Sequence, residues 1–97
     1  MIRVLLRAAA AADLDEAFGW YEDQRAGLGE DFRNAVDSTL AHVAENPEAY
    51  AVILRDTRRA LVQRFPYGVF YRLVDGDVVV VACLHVKRHP RTWRSRT

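Results

Sequence analysis

The side chains with the greatest capacity for acid–base or phosphate chemistry lie in the second half of the chain. His85 ends an apolar run, and its imidazole, with an ordinary pKa of roughly 6.5, can act as a general acid or base. Arg88 follows three residues later and can supply positive charge to a phosphate. The alternative for His85 is structural: a histidine that caps the end of a strand or contacts a partner protein.

Further candidates lie on the predicted strands before this histidine. Arg64 and Arg72 fall on adjacent strands, and their even spacing from neighbouring polar positions favours the open face of the sheet for both. Alternatively, these arginines form ion pairs with Asp75 or Asp77. Tyr71 either packs within the sheet or lies near a bound phosphate.

The last eleven residues form a basic tail that contains no acidic residue. Such a tail can bind a phosphate backbone or an acidic protein surface at low energetic cost. Trp93 within it either stacks on bases or folds back to close the core. We expect the tail to be mobile, so His85 and His89 beside it have a poorly preorganised support. The tail residues assigned to target or nucleic-acid binding are Lys87, Arg91, Trp93 and Arg94.

Charge is divided unevenly along the chain. Residues 1–49 hold four arginines and ten acidic residues, a net charge of −6, whereas residues 50–97 hold nine arginines, one lysine and three aspartates, a net charge of +7. This division predicts an acidic face and a basic face. The single cysteine, Cys83, excludes an internal disulfide, and no Cys/His spacing indicates a metal.

The length of 97 residues predicts one domain spanning residues 1–97. We expect no cofactor. The longest apolar stretch, Val78 to Leu84, is too short to cross a membrane. The beginning of the chain has too short an apolar run for a signal peptide. We therefore expect a cytoplasmic protein.

Hydrophobic spacing predicts two helices after a short first strand. The strand covers Ile2 to Leu6, and apolar residues at helical spacing then indicate helices over about residues 9–26 and 28–46. Gly27-Leu28-Gly29 separates the helices, and Asn46-Pro47 ends the second. Two amphipathic helices joined by so short a break form an antiparallel hairpin.

Three further strands are predicted over residues 60–65, 69–74 and 78–84. Pro66-Tyr67-Gly68 and Asp75-Gly76 supply the turns between them. The last strand is apolar on both faces, so we expect it inside the sheet. The order β-α-α-β-β-β predicts an α+β fold, in which the helical hairpin packs on a four-stranded, mostly antiparallel sheet.

An ordered set of short motifs covers nearly the whole chain, and with it the chain resembles the RelE/ParE superfamily of bacterial type II toxin–antitoxin toxins. The resemblance implies a compact toxin that is neutralised by a cognate antitoxin, which wraps an extended, partly helical segment around it. In chain order the motifs are Ala-x-x-Asp-Leu at 10–14, Trp-Tyr-Glu at 20–22, Gly-Leu-Gly-x-x-Phe at 27–32, Asn-Pro at 46–47 with Tyr50, Arg59 followed by Leu-Val-x-Arg-Phe-Pro-Tyr-x-Val-x-Tyr at 61–71, and His-x-x-Arg-x-Pro-x-x-Trp-x-x-Arg at 85–96.

The superfamily divides by target, and Gly68 bears on the choice. RelE-like members cut messenger RNA in the ribosomal A site, whereas ParE-like members inhibit DNA gyrase and cut nothing themselves. RelE-like nucleases often carry an arginine three residues before the strand tyrosine, where this chain has Gly68 before Tyr71. Because glycine cannot stabilise phosphorane charge, the resemblance favours a ParE-like inhibitor of DNA gyrase.

The alternative is a RelE-like, ribosome-dependent mRNA endoribonuclease, in which His85 and Arg88 are catalytic and Arg64 and Arg72 add charge. On this alternative the chain is an enzyme, and on the favoured interpretation it is not. A third interpretation is a toxin that has lost its activity and only binds antitoxin. The expected partners are an antitoxin, within a toxin–antitoxin hetero-oligomer, and DNA gyrase, or the ribosome and mRNA on the alternative.

Overall fold

Within the described part of the chain, a fifth strand and a short third helix join the elements predicted from the sequence. The structure, a computed structural model, describes residues 2–88 and 91–96, so the candidate His89 lies outside them. In chain order the elements are β1 (Val4–Leu6), α1 (Ala8–Gln24), α2 (Leu28–Glu45), β2 (Val52–Leu54), β3 (Thr57–Leu61), β4 (Tyr67–Val74), β5 (Asp77–His85) and α3 (Arg91–Arg94).

Helices α1 and α2 form the predicted hairpin, and two glycines permit its tight turn. A Cβ on Gly29 would lie 2.7 Å from the backbone oxygen of Phe18, so the helices can approach this closely only at a glycine. Gly27 has a φ of 90°, a left-handed conformation that glycine adopts without steric cost. The carboxylate of Glu22 accepts the backbone N–H groups of both glycines at 3.0 Å and so fixes the turn.

The sheet has the strand order β1-β5-β4-β3-β2, with β1 parallel to β5 and the other neighbours antiparallel. The prediction of a mostly antiparallel sheet is therefore confirmed. Strand β5 lies inside it, between β1 and β4, as its apolar sequence predicts. Val78 and residues 80–84 are buried, because this strand has partner strands on both sides and packed side chains on both faces.

The predicted strand count of four is wrong, because the sheet has five strands. Residues 52–54, which the sequence assigns to a loop, pair with β3 as the edge strand β2. No glycine or proline marks the turn between them, since Arg55 itself takes the left-handed φ of 52°. Arg64, with a φ of 69°, likewise reverses the chain earlier than predicted, so β3 ends at Leu61 and β4 begins at Tyr67.

Side chains on the two faces of the sheet form two separate apolar clusters. The larger lies between the sheet and the helices and includes Phe32 and Tyr71. The smaller lies on the opposite face, where Trp93 of α3 stacks on Phe70 with ring centroids 5.1 Å apart. The predicted mobile tail is thus wrong for residues 91–96, because burying the Trp93 ring against Phe70 holds this segment on the sheet.

Candidate functional site: a groove beside helix α1

A groove of about 400 Å³ runs between helix α1 and the carboxyl end of strand β5. Helix α1 supplies one wall, and β5 with the β3–β4 turn supplies the other. We call it the α1–β5 groove. Its lining residues are Asp13, Glu16, Ala17, Trp20, Tyr21, Pro66, Tyr67, Cys83, Leu84, His85 and Arg88.

Aromatic side chains give the groove an apolar floor and one exposed anchor. Trp20 is 57% exposed, which is unusual for a tryptophan, and its ring meets that of Tyr21 edge-on at 5.0 Å. Tyr21 and Tyr67 are partly sunk into the floor, and this burial raises the pKa of both phenols above the ordinary value. Both hydroxyls therefore stay neutral, which suits an apolar partner with a few polar groups.

Of the residues predicted to be catalytic, His85 and Arg88 meet in this groove. The backbone N–H of Lys87 donates to Nδ1 of His85 at 3.1 Å, so this nitrogen acts as an acceptor. The backbone N–H of Arg88 donates to the His85 carbonyl oxygen at 2.9 Å, and the resulting tight turn follows β5. The ring of His85 meets that of Tyr67 edge-on at 5.5 Å.

Asp13 closes one end of the groove by an ion pair that the sequence analysis missed. Its carboxylate accepts Nη1 of Arg96 at 2.5 Å, Nη2 of the same side chain at 3.3 Å and the backbone N–H of Cys83 at 3.0 Å. Nη1 of Arg96 also donates to the Val81 carbonyl at 3.3 Å. This arrangement, the Asp13–Arg96 pair, joins α1, β5 and the C-terminal segment. The sequence signal was that both residues are motif positions, Asp13 in Ala-x-x-Asp-Leu at 10–14 and Arg96 at the end of the motif at 85–96.

The structure places Arg64 and Arg72 away from the groove. Arg72 forms a bidentate ion pair with Asp56, with both N–O distances 3.0 Å, and this pair lowers the pKa of Asp56. The alternative of an ion pair with Asp75 or Asp77 is not realised for Arg72, which pairs with Asp56, and Asp77 pairs with Arg3 at 2.7 Å. Arg64 lines a different cavity, between α2 and the β3–β4 turn.

Tyr71 and Trp93 both belong to the apolar clusters rather than to the surface. Tyr71 is fully buried, and its hydroxyl donates to the Pro47 carbonyl at 2.7 Å. Burial raises the pKa of this phenol to about 12. Trp93 is 9% exposed, so its ring closes the smaller cluster. Lys87, Arg91 and Arg94 are exposed, Lys87 in the turn after β5 and the two arginines on α3.

Cys83 also lies in the groove wall, and its thiol should make the folding stability of the protein depend on pH in the alkaline range. Burial, reinforced by the charge of Asp13, raises the pKa of its thiol from 9.0 to about 12. The folded chain therefore keeps this proton at pH 10, whereas the unfolded chain releases it. The contribution of the protonated Cys83 thiol to folding stability is complete below the pKa of the thiol in the unfolded chain. It is lost as the pH rises towards the pKa of the thiol in the folded chain. Between pH 8 and pH 10 this group alone should lower the free energy of unfolding by about 1.4 kcal/mol.

Urea unfolding of the wild type and of Cys83→Ala at both pH values measures this contribution. The alanine variant should lose less stability than the wild type over the interval, by that amount, because its unfolded state has no thiol to ionise. Equal losses in the two proteins would contradict the prediction.

The described residues offer neither a metal site nor a membrane span. No group of three or more His, Cys, Asp or Glu side chains among residues 2–88 and 91–96 is placed to hold a metal ion. Within the same residues, no helix has the length and apolar character needed to cross a membrane.

The chain falls in the class of two-layer α+β proteins in which a helical hairpin covers one face of a mixed sheet. The family model for the ParE toxin of the type II toxin–antitoxin system parDE matches residues 4–90. Toxin ParE2 of Mycobacterium tuberculosis is 29% identical over 79 residues, which cover 80% of this chain and 75% of that protein. The chain therefore belongs to the ParE toxin family.

A solved structure supports the same fold. A chain from the chromosomal ParDE toxin–antitoxin system of P. aeruginosa superposes with a TM-score of 0.78 at 15% identity, covering 88% of this chain and 96% of that chain. The resemblance to the RelE/ParE superfamily is thus confirmed, with the ParE branch favoured over the RelE branch. The protein is a toxin of a type II toxin–antitoxin system.

Proposed function

We propose that this toxin acts by binding and inhibiting DNA gyrase in the cytoplasm, and that a cognate antitoxin silences it by occupying the α1–β5 groove. The observation that supports gyrase inhibition is that the side chains RNA cleavage would need to bring together lie in different places. Of the predicted catalytic and charge-supplying residues that the structure describes, only His85 and Arg88 share the groove.

A metal-free ribonuclease requires a base for the 2′-hydroxyl, an acid for the leaving oxygen and fixed positive charge on the phosphate. Arg72 is engaged by Asp56, and Arg64 lines another cavity. Tyr71 is buried and donates to the Pro47 carbonyl. A toxin that works by binding has no such geometric requirement, so this arrangement supports inhibition by contact over catalysis.

The composition of the α1–β5 groove supports the proposal that the antitoxin binds there. An exposed tryptophan above a partly buried aromatic floor is the usual form of a binding hot spot, in which a partner's apolar side chain is enclosed. Glu16 on the helix wall and Arg88 on the sheet wall give the groove an acidic side and a basic side. An amphipathic antitoxin segment with apolar anchors and charges on its flanks would match both walls.

The decisive experiment for the target is to induce the toxin without antitoxin and to assay the purified protein on gyrase. We expect filamentous cells with DNA damage and intact messages, together with inhibition of plasmid supercoiling by the gyrase holoenzyme. Rapid translation arrest with cuts in the ribosomal A site, abolished by His85→Ala or Arg88→Ala, would instead establish the nuclease.

The antitoxin site is tested by Trp20→Ala. Loss of a central aromatic anchor typically weakens a protein complex by about 2–4 kcal/mol, so the affinity for the cognate antitoxin should fall at least about thirtyfold. Titration calorimetry measures it. Trp20 is mostly exposed, so circular dichroism should show an unchanged fold. An unchanged affinity would place the antitoxin elsewhere on the toxin.

A further inference from the structure

An arginine lies across the sheet face that points away from the helices. Arg59 of β3 is in register with Phe70 of β4, which belongs to the apolar cluster on that face. A Cβ on Gly68 would lie 3.1 Å from both Cγ and Cδ of Arg59. The stem of Arg59 therefore rests on the bare backbone of Gly68, which is buried as a result. Gly68 leaves the space that this stem occupies.

Arg59 thus brings positive charge to a position where the sequence analysis had found none. The aliphatic part of the Arg59 side chain lies over the backbone of Gly68 on the neighbouring strand. The two residues are linked, because a side chain on residue 68 would collide with the Arg59 stem.

The Arg59 guanidinium is available to an outside partner. Arg59 is exposed, and no carboxylate among residues 2–88 and 91–96 forms an ion pair with it. Two of the three acidic residues beyond position 50, Asp56 and Asp77, are already paired with other arginines. With its stem packed on the sheet, this arginine loses little side-chain entropy when it binds an acceptor.

We propose that the sheet face centred on Arg59 binds an acidic surface of the toxin's protein target. The inference rests on the proposed function and adds to it the surface through which the target is bound. The fork of a guanidinium binds a carboxylate through two parallel hydrogen bonds. The face lies on the opposite side of the sheet from the α1–β5 groove, which opens towards the helices. Antitoxin and target therefore use separate surfaces.

Charge and ring burial favour a protein over a single-stranded nucleic acid as the partner of this face. The exposed acidic side chains of α1 and α2 are on the helical layer, so the two layers carry opposite charge. Proteins that bind single strands combine basic grooves with exposed aromatic rings on which bases stack. Among the described residues, the two aromatic rings of the cluster on this face, Phe70 and Trp93, are 3% and 9% exposed and stack on each other instead.

The test compares Arg59→Glu with the wild type in growth arrest, inhibition of gyrase supercoiling and antitoxin affinity. We expect charge reversal to raise the toxin concentration needed for half-inhibition at least about tenfold and to relieve growth arrest. Antitoxin affinity should change less than about twofold, since the groove is on the other face. That unchanged affinity also shows that the variant is folded.

Two variants refine the result. Gly68→Ala keeps every charge but displaces the Arg59 stem, so it should weaken inhibition about threefold or more. Arg25→Glu is the matched control: an exposed arginine at the end of α1, 3.6 Å from Asp31, whose reversal adds the same charge to the helical layer. It should leave growth arrest and gyrase inhibition within about twofold of the wild type.

The outcomes separate the two proposals. A wild type that arrests growth without inhibiting gyrase would overturn the proposed target, and the growth readout of Arg59→Glu would still test the face. Full toxicity of Arg59→Glu would overturn the inference alone. The inference would also be overturned if the wild type bound a 20-nucleotide single-stranded RNA and Arg59→Glu lost that binding while still inhibiting gyrase. That result would assign the face to nucleic acid.

Discussion

Replacing Trp93 with alanine should lower the free energy of unfolding by about 3 kcal/mol, the lower end of the usual cost for a buried tryptophan. Trp93 is the largest member of the cluster on the sheet face opposite the helices, and its ring stacks on Phe70 at 5.1 Å and an interplanar angle of 24°. Removing it exposes Phe70 and Leu84 to solvent. The measurement is the urea unfolding midpoint followed by circular dichroism.

Trp20→Ala is the natural control, because it deletes the same side chain from a site that is 57% exposed. Its cost should stay below about 1 kcal/mol. Similar midpoints for the two variants would mean that the C-terminal segment does not dock on the sheet in solution.

Asp13→Ala should also cost about 3 kcal/mol, because it leaves a partly buried guanidinium and a strand N–H without their acceptor. The Asp13 carboxylate is 11% exposed and the Arg96 side chain 25%. Asp13→Ala combined with Arg96→Ala should cost clearly less than the sum of the single variants, since each removes the same interaction. Urea unfolding of the four proteins in this cycle gives the coupling free energy.

Asp15→Ala provides a matched control two residues away on the same helix. Its side chain is 78% exposed and pairs with Arg33 at 3.2 Å, so the loss should be below about 1 kcal/mol. Equal costs for Asp13→Ala and Asp15→Ala, or full additivity in the cycle, would show that the Asp13–Arg96 pair contributes no more than a surface ion pair.

Features carried by local patterns were predictable from the sequence. The helical hairpin follows from two apolar stripes separated by a Gly-Leu-Gly break, and the inner position of β5 follows from a run that is apolar on both faces. The ordered motifs pointed to the superfamily, and residues 4–90 match the ParE model. Among the site residues, His85 and Arg88 were predicted together because they are close in sequence, and they share the groove.

Features that depend on partners distant in the chain were not predictable in the same way. Asp13 and Arg96 are 83 positions apart, and no local spacing records which of many acids an arginine will meet. For Arg72 the sequence left open an exposed position on the sheet or an ion pair with Asp75 or Asp77, and the partner found is Asp56. Strand β2 was missed because three residues give too short a pattern, and its turn uses an arginine at positive φ instead of glycine.

The parallel pairing of the first strand with the last has a consequence for synthesis of the toxin. Val4 pairs with Val78, 74 positions later, so β1 leaves the ribosome long before its partner strand exists. At usual elongation rates this delay lasts roughly 4–15 s, during which the helical hairpin can form but the sheet cannot close. The face that carries Arg59 is assembled only when β4 and the segment after β5 have been made. Under the proposed mode of target binding, a nascent chain is therefore harmless until β5 and the segment after it have been made.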